Sequence, residues 1–265
     1  MDYCAVFLTF FLWKVTISCS TSTTETANTV DINASEELPQ HIIKMGVGLE
    51  KIPQGSYHVR SINFGYNRIR ELPSAIFFTM GYKSLRRIEL CQNKISMINQ
   101  RAFRELRHLK IIDLSGNNIS GIEIGTFKCN PRLEKLDLSL NKIGFHPDKP
   151  FLNSPSLETL ILTDNKIEQI YELTFYKLPK LRNLMMDNNI IFSIEAKSFV
   201  PLVHLHYLSL AHTGVYRLSE TMFKNETYPR IIDVTDTPLS NKFYPPLKKV
   251  RNEGVAELIN IDSYF

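Results

Sequence analysis

Cysteine is scarce in this chain. Four in 265 residues are too few for a fold built on a dense disulfide framework. Glycine and proline, 11 and 13, are too few for collagen or low complexity. No stretch approaches 18 consecutive apolar residues, so none reads as a transmembrane span. No charge of one sign dominates: 31 Lys and Arg face 27 Asp and Glu, and a net +4 is too weak to argue for nucleic acid. Familiar chemical motifs are missing as well, among them HExxH, GxSxG, a GxxxxGK phosphate loop and CxxC. Gly46 and Gly48 lack the third glycine of a dinucleotide loop. His204 and His206 flank Leu205 and read as solvated surface, because two histidines without a third ligand make a poor zinc site. No catalytic residue, metal site or cofactor is expected, and the chain does not read as an enzyme.

What is present is an ordinary globular mixture, 43% hydrophobic and 22% charged, with ample material for a core. Cys4 to Trp13 is an apolar run of signal-peptide length, too short to cross a bilayer. Small polar residues follow it, with Ser18 or Ser20 placed for cleavage, although Asp2 stands where a basic residue is usual. A buried N-terminal strand or helix is the alternative. The expected organisation is a signal peptide over 1–20, a flexible polar leader over 21–40 and an N-terminal cap over 41–58. A repeat region over 59–239 and a C-terminal cap and tail over 240–265 complete it.

The repeat is visible in phenylalanine. Phe77, Phe103, Phe127, Phe151, Phe175, Phe199 and Phe223 are spaced by 26 residues and then by 24, five times over. The same phrase precedes each one. Leu85, Ile88, Leu90, Asn93, Ile95 and Ile98 are echoed by Leu109, Ile112, Leu114, Asn117, Ile119 and Ile122. The echo persists through Asn141, Asn165 and Asn189, and Thr213 then stands where Asn is due. Val59 opens the series and a shortened Ile232–Val234–Thr237–Leu239 phrase closes it. The LxL triplet puts alternate residues on one face of a short strand. One coil cannot bury that face alone, so coils must stack into a parallel sheet over a continuous core. About eight strands at ~4.8 Å each make a ladder of roughly 40 Å. Each Asn amide can donate and accept, and so can satisfy turn backbone in its own coil and the next. Thr213 and Thr237 can do only part of this. The Phe column supplies bulk on the convex side.

The phrase LxxLxLxxNxIxxIxxxxFxxLxx resembles the extracellular, typical class of leucine-rich repeat proteins over about residues 42–240. The resemblance implies an α/β-type solenoid, a curved leucine-rich repeat array with little regular helix. It also implies non-catalytic recognition on the concave face. Many members cap both ends with cystine clusters. Here residues 41–59 look like an N-flank, yet Met45 stands where cysteine is usual, and the C-flank phrase near 233–243 also lacks its cysteines. Strand-like packing is expected at the N-cap. Apolar closure by Phe243, Tyr244, Leu247, Val250, Leu258 and Ile259 is expected at the C-cap. Cys91 should face the concave side and Cys129 the convex side, too far apart to pair. A retained Cys19 would permit a linked dimer. Sequons at Asn33, Asn118 and Asn225 fit a secreted glycoprotein.

The register also assigns the concave face. Glu89, Asp113 and Asp137 form an acidic run over consecutive strands. Ile161, Met185, Tyr207 and Ile231 form an apolar and aromatic group further along, which resembles an interface core. Residues 85–108 hold six cations against Glu89 and Glu105. Arg86, Arg87, Arg101, Arg104, Arg107 and the adjacent Lys110 are candidates for a polyanion site. The expected function is secreted, extracellular binding of a protein ligand or receptor in adhesion, signalling or innate defence. The alternative is a structural matrix component that binds collagen-like proteins or sulfated glycans.

Overall fold

Each LxL triplet forms a three-residue strand, because its apolar residues face one side and the residue between them faces the other. In the computed structural model the described residues are 39–224, 227–243, 245–251, 254, 255 and 258, all within the unit Leu38–Phe265. The proposed signal peptide and leader, Asn33, Asn225, Tyr244 and Ile259 lie outside them. The first strands are β1 His41–Ile43, β2 Ser61–Asn63, β3 Glu71–Leu72, β4 Arg87–Glu89, β5 Met97–Ile98, β6 Ile111–Asp113 and β7 Lys135–Asp137. Next come β8 Thr159–Ile161, β9 Gln169–Ile170, β10 Asn183–Met185 and β11 Ser193–Ile194. β12 Tyr207–Ser209, β13 Ile231–Asp233 and β14 Lys249–Arg251 follow.

A 10-stranded sheet runs β1-β2-β4-β6-β7-β8-β10-β12-β13-β14. Eight of these are the strands of the repeats; β1 and β14 extend the sheet at either end. Every neighbour is parallel except β14, which returns antiparallel to β13. Among the described residues there is almost no helix; α1, Ile76–Thr79, is a single turn. The solenoid expected from the repeat is therefore what forms. Two short ladders, β3–β5 and β9–β11, lie on the descending flank.

The core is one column per repeat position. Ile62, Ile88, Ile112, Leu136, Leu160, Leu184, Leu208 and Ile232 are each 0% exposed, and full burial of such a side chain contributes about 1.5–3 kcal/mol. On the convex side Phe77, Phe103 and Phe127 stack with centroids 5.5 and 5.4 Å apart. Phe175, Phe199 and Phe223 do so at 6.0 and 5.3 Å. Between the two stacks Phe145 enters from outside the periodic column. It sits 5.1 Å from Phe151 and 5.7 Å from Phe175. The repeat phrase does not mark Phe145, since its position is not a core position elsewhere.

The asparagine ladder closes the turns. Asn117 Oδ1 accepts from Ile95 N–H at 2.9 Å, and its Nδ2 donates to the carbonyls of Leu90 and Leu114, both at 3.0 Å. Asn93, Asn141, Asn165 and Asn189 repeat the arrangement. The residue before each ladder position turns left-handed, as at Gln92, Leu140 and Asn188 with φ of 53°, 55° and 55°. Thr213 donates to Leu210 O at 2.6 Å and makes none of the bonds to the preceding coil.

At the N-terminal end β1 pairs with β2 in register. Asn67 ties the cap down: its Oδ1 accepts from Val47 and Leu49, and its Nδ2 donates to Lys44 O at 2.7 Å. The Tyr82 ring lies where a side chain at Gly55 would be, since a Cβ there would meet it at 2.1 Å. Burial pushes the Tyr82 phenol up to about 12. At the other end Val255 and Leu258 are each 1% exposed, and Phe243, Leu247 and Val250 lean on the same core.

Candidate functional site

The residues between the core positions of each strand line the concave sheet, and the strand pairing fixes their columns. One column reads Ser61, Arg87, Ile111, Lys135, Thr159, Asn183, Tyr207, Ile231. The other reads Asn63, Glu89, Asp113, Asp137, Ile161, Met185, Ser209, Asp233. Ile161 and Met185 are therefore side by side in one column, and Tyr207 and Ile231 in the other. All four are half-buried.

The two apolar pairs have different surroundings. Lys249 of β14 lies 5.3 Å from the Tyr207 ring centroid and 3.1 Å from Asp233. Tyr207 Oη lies 3.5 Å from Asp233 Oδ2, and Arg251 registers against Ile231. The Tyr207–Ile231 end is thus built into the C-terminal cap. Beside Met185, Asp187 accepts hydroxyl bonds from Thr163 and Ser209.

The acidic run has a local task that its spacing reveals only in hindsight. Asp113 Oδ1 accepts from Ser115 N–H at 2.9 Å and its hydroxyl at 2.7 Å. Asp137 does the same with Ser139 at 3.0 and 2.7 Å, and Asp233 with Thr235 at 3.2 and 2.6 Å. Each is a side-chain turn that leads the backbone out of its strand. The signal was the Asp-x-Ser/Thr spacing. Burial holds the Asp137 carboxyl above the usual range, against the Ser139 bonds, and Asp113 adds repulsion. Burial also acts on Asp233, but the bonds from Thr235 and Lys249 outweigh it and hold that carboxyl below the usual range. Glu89 is tied to Arg87 at 2.5 Å.

The structure separates the basic candidates. Arg87 is on the concave sheet. Arg86 and Lys110 are on the rim, where Lys110 meets Glu134 at 2.6 Å. Arg101 and Arg104 line a convex cleft with Lys128, while Arg107 is exposed outside its lining. Cys129, on that cleft, is exposed, and no disulfide joins it to the half-buried Cys91. Asn118 is exposed just past the ladder residue. His204 and His206 are exposed, and the described residues contain no cluster suited to a metal ion. No helix among them is long and apolar enough to cross a membrane.

Two surface features were not anticipated. Ile190, Phe192 and Tyr216 are 64%, 47% and 50% exposed on the descending flank. Phe192 and Tyr216 occupy one repeat position in neighbouring coils, so alignment of the repeats contained that signal. A cleft of about 530 Å3 opens where the flank ladder lapses between β5 and β9, lined in part by Ile98, Ile122 and Phe145.

Fold and register define an architecture: the chain is a leucine-rich repeat solenoid. Residues 83–143 and 155–215 match the leucine rich repeat family, a scaffold that is generally non-catalytic and used for protein interaction. Among solved structures the chain resembles a leucine-rich repeat domain of APL1 at 19% identity and a TM-score of 0.59, covering 75% of this chain and 54% of that one. It resembles the Toll–Spatzle complex of Drosophila at 18% identity and 0.57, covering 75% and 35%. The TLR13–ssRNA13 complex matches at 25% identity and 0.52, covering 68% and 29%. The chain thus spans about a third to just over a half of these relatives. No curated protein matches it.

Proposed function

We propose that the protein is a secreted, extracellular recognition protein that binds a protein ligand or receptor on its concave face. The observation that carries this reading is the side-by-side placement of Ile161 and Met185 on a mostly polar sheet. Half-buried apolar residues inside a polar surround match the anatomy of a protein interface. The Toll–Spatzle neighbour supports protein binding by this fold. Secretion rests on the Cys4–Trp13 run and the exposed Asn118 sequon, where a glycan would mark surface that a partner leaves uncovered.

The test is capture of cross-linked partners from native extracellular extract with wild type and with an Ile161→Glu, Met185→Glu variant. This pair is preferable to one containing Tyr207, which also contacts the cap residues Asp233 and Lys249. The variant must first match wild type in melting and secretion. A defined protein captured by wild type and lost in the variant supports the concave site. Capture that persists in the variant overturns it.

A further inference from the structure

The convex side carries a second candidate site of different chemistry. A cleft of about 330 Å3 lies between two successive coils, at the lower end of the range for small-ligand sites. Arg101 and Arg104 enter from one coil and Lys128 from the next, and no carboxylate lines the cleft. Arg104 and Lys128 hold equivalent positions 24 residues apart, so the stack sets like charges in adjacent coils. Arg104 has a half-buried partner, Glu105 at 3.2 Å, outside the lining. Arg101 and Lys128 have no ionic partner among the described residues.

The floor is shaped by Gly125. A Cβ there would meet the Gln100 amide nitrogen at 2.7 Å, so the missing side chain leaves space for that amide beside the three cations. Arginine forks and a lysine charge around an amide donor suit a tetrahedral oxyanion. No aromatic ring lines the cleft, so it offers nothing on which a nucleobase could stack.

We propose that this cleft binds a sulfated glycan chain, with one sulfate seated between Arg101, Arg104 and Lys128. The choice of a sulfated glycan over other oxyanions rests on the extracellular placement proposed above. The site is independent of the concave face. Arg86, Arg87 and Lys110, which the charge run alone would include, are not part of it.

Cys129 lies on the cleft and is exposed, which makes it a reporter. The full chain is alkylated with a neutral maleimide, and modification at Cys129 and Cys91 is resolved by peptide mass spectrometry. A heparin-derived octasaccharide should slow Cys129 alkylation about tenfold at low salt, with the protection lost as salt rises. Desulfated octasaccharide and inorganic phosphate should protect little. An Arg101→Gln, Lys128→Gln variant with wild-type melting should lose the protection, and Ile161→Glu, Met185→Glu should retain it. A second measurement needs no variant: a dianionic aromatic disulfide should react faster with Cys129 than a neutral one, relative to free cysteine, and salt should abolish the difference. Absence of protection, protection that survives the Gln variant, or equal protection by single-stranded RNA would each overturn the proposal. Partner capture that persists in Ile161→Glu, Met185→Glu, with Cys129 protection intact, would overturn only the concave reading.

Discussion

The ammonium of Lys249 lies 3.1 Å from the carboxylate of Asp233, joining the one antiparallel strand to the last parallel one. Bonds from Thr235 and Lys249 overcome the effect of burial and keep the Asp233 carboxyl below its usual range, and Asp233 in turn raises Lys249. A carboxyl depressed in the folded state lends stability that is complete above its unfolded value and fades as pH falls through its folded one. The protection factors of Lys249–Arg251 against amide exchange should therefore fall below about pH 4. In Asp233→Asn they should be lower than in wild type at neutral pH and flat across that window. A wild-type profile with no acid limb would show that the ion pair does not hold the strand.

Asp137 should behave in the opposite sense. Burial raises its carboxyl in the folded state, so its charge counts against folding at neutral pH and ceases to matter once both states are protonated. Asp137→Asn keeps an oxygen for the Ser139 turn. Its melting temperature should exceed wild type at pH 7 and converge with it below about pH 4, under the unfolded carboxyl value. Equal melting at pH 7 would show that the carboxylate is solvated in place.

The asparagine ladder allows a paired test. Asn141→Ala removes the acceptor for Ile119 N–H and the donor to Leu114 O and Leu138 O. Stranding these buried groups should cost about 3 kcal/mol or more in urea unfolding. Thr213→Asn should restore a bond to Ile191 N–H and gain about 1 kcal/mol. A loss at Thr213→Asn would mean that the turn has adapted its backbone to threonine.

Ser154 Oγ is buried without a hydrogen-bond partner among the described residues, as is Asn130 Oδ1 in the preceding coil. Both occupy the position that Leu106 and Leu178 fill with apolar side chains. Ser154→Ala should stabilise the protein by about 1 kcal/mol, because it removes a desolvated hydroxyl. A denaturation midpoint that falls instead would place a bound water on Ser154.

The Phe column, the LxL strands and the Asn ladder were all readable from spacing, and so were the concave columns. Each depends only on a residue's position within its own coil. Phe145 was not readable, because it fills a gap produced by one irregular coil. The split among the basic residues was hidden for a similar reason: Arg86, Arg87 and Arg101 are close in sequence, but one coil carries them to the rim, the sheet and the convex side.

The sequence by itself determined a stacked solenoid, its eight repeat strands and the residues that face out of them. Those follow from local period, since every coil must bury the same positions against its neighbours. Tertiary structure alone decided how the sheet ends and which charges share a cleft. Lys249 meets Asp233 because the chain reverses direction, and Lys128 shares a cleft with Arg101 because two coils stack. Both arrangements join residues far apart in sequence, and no single repeat contains them.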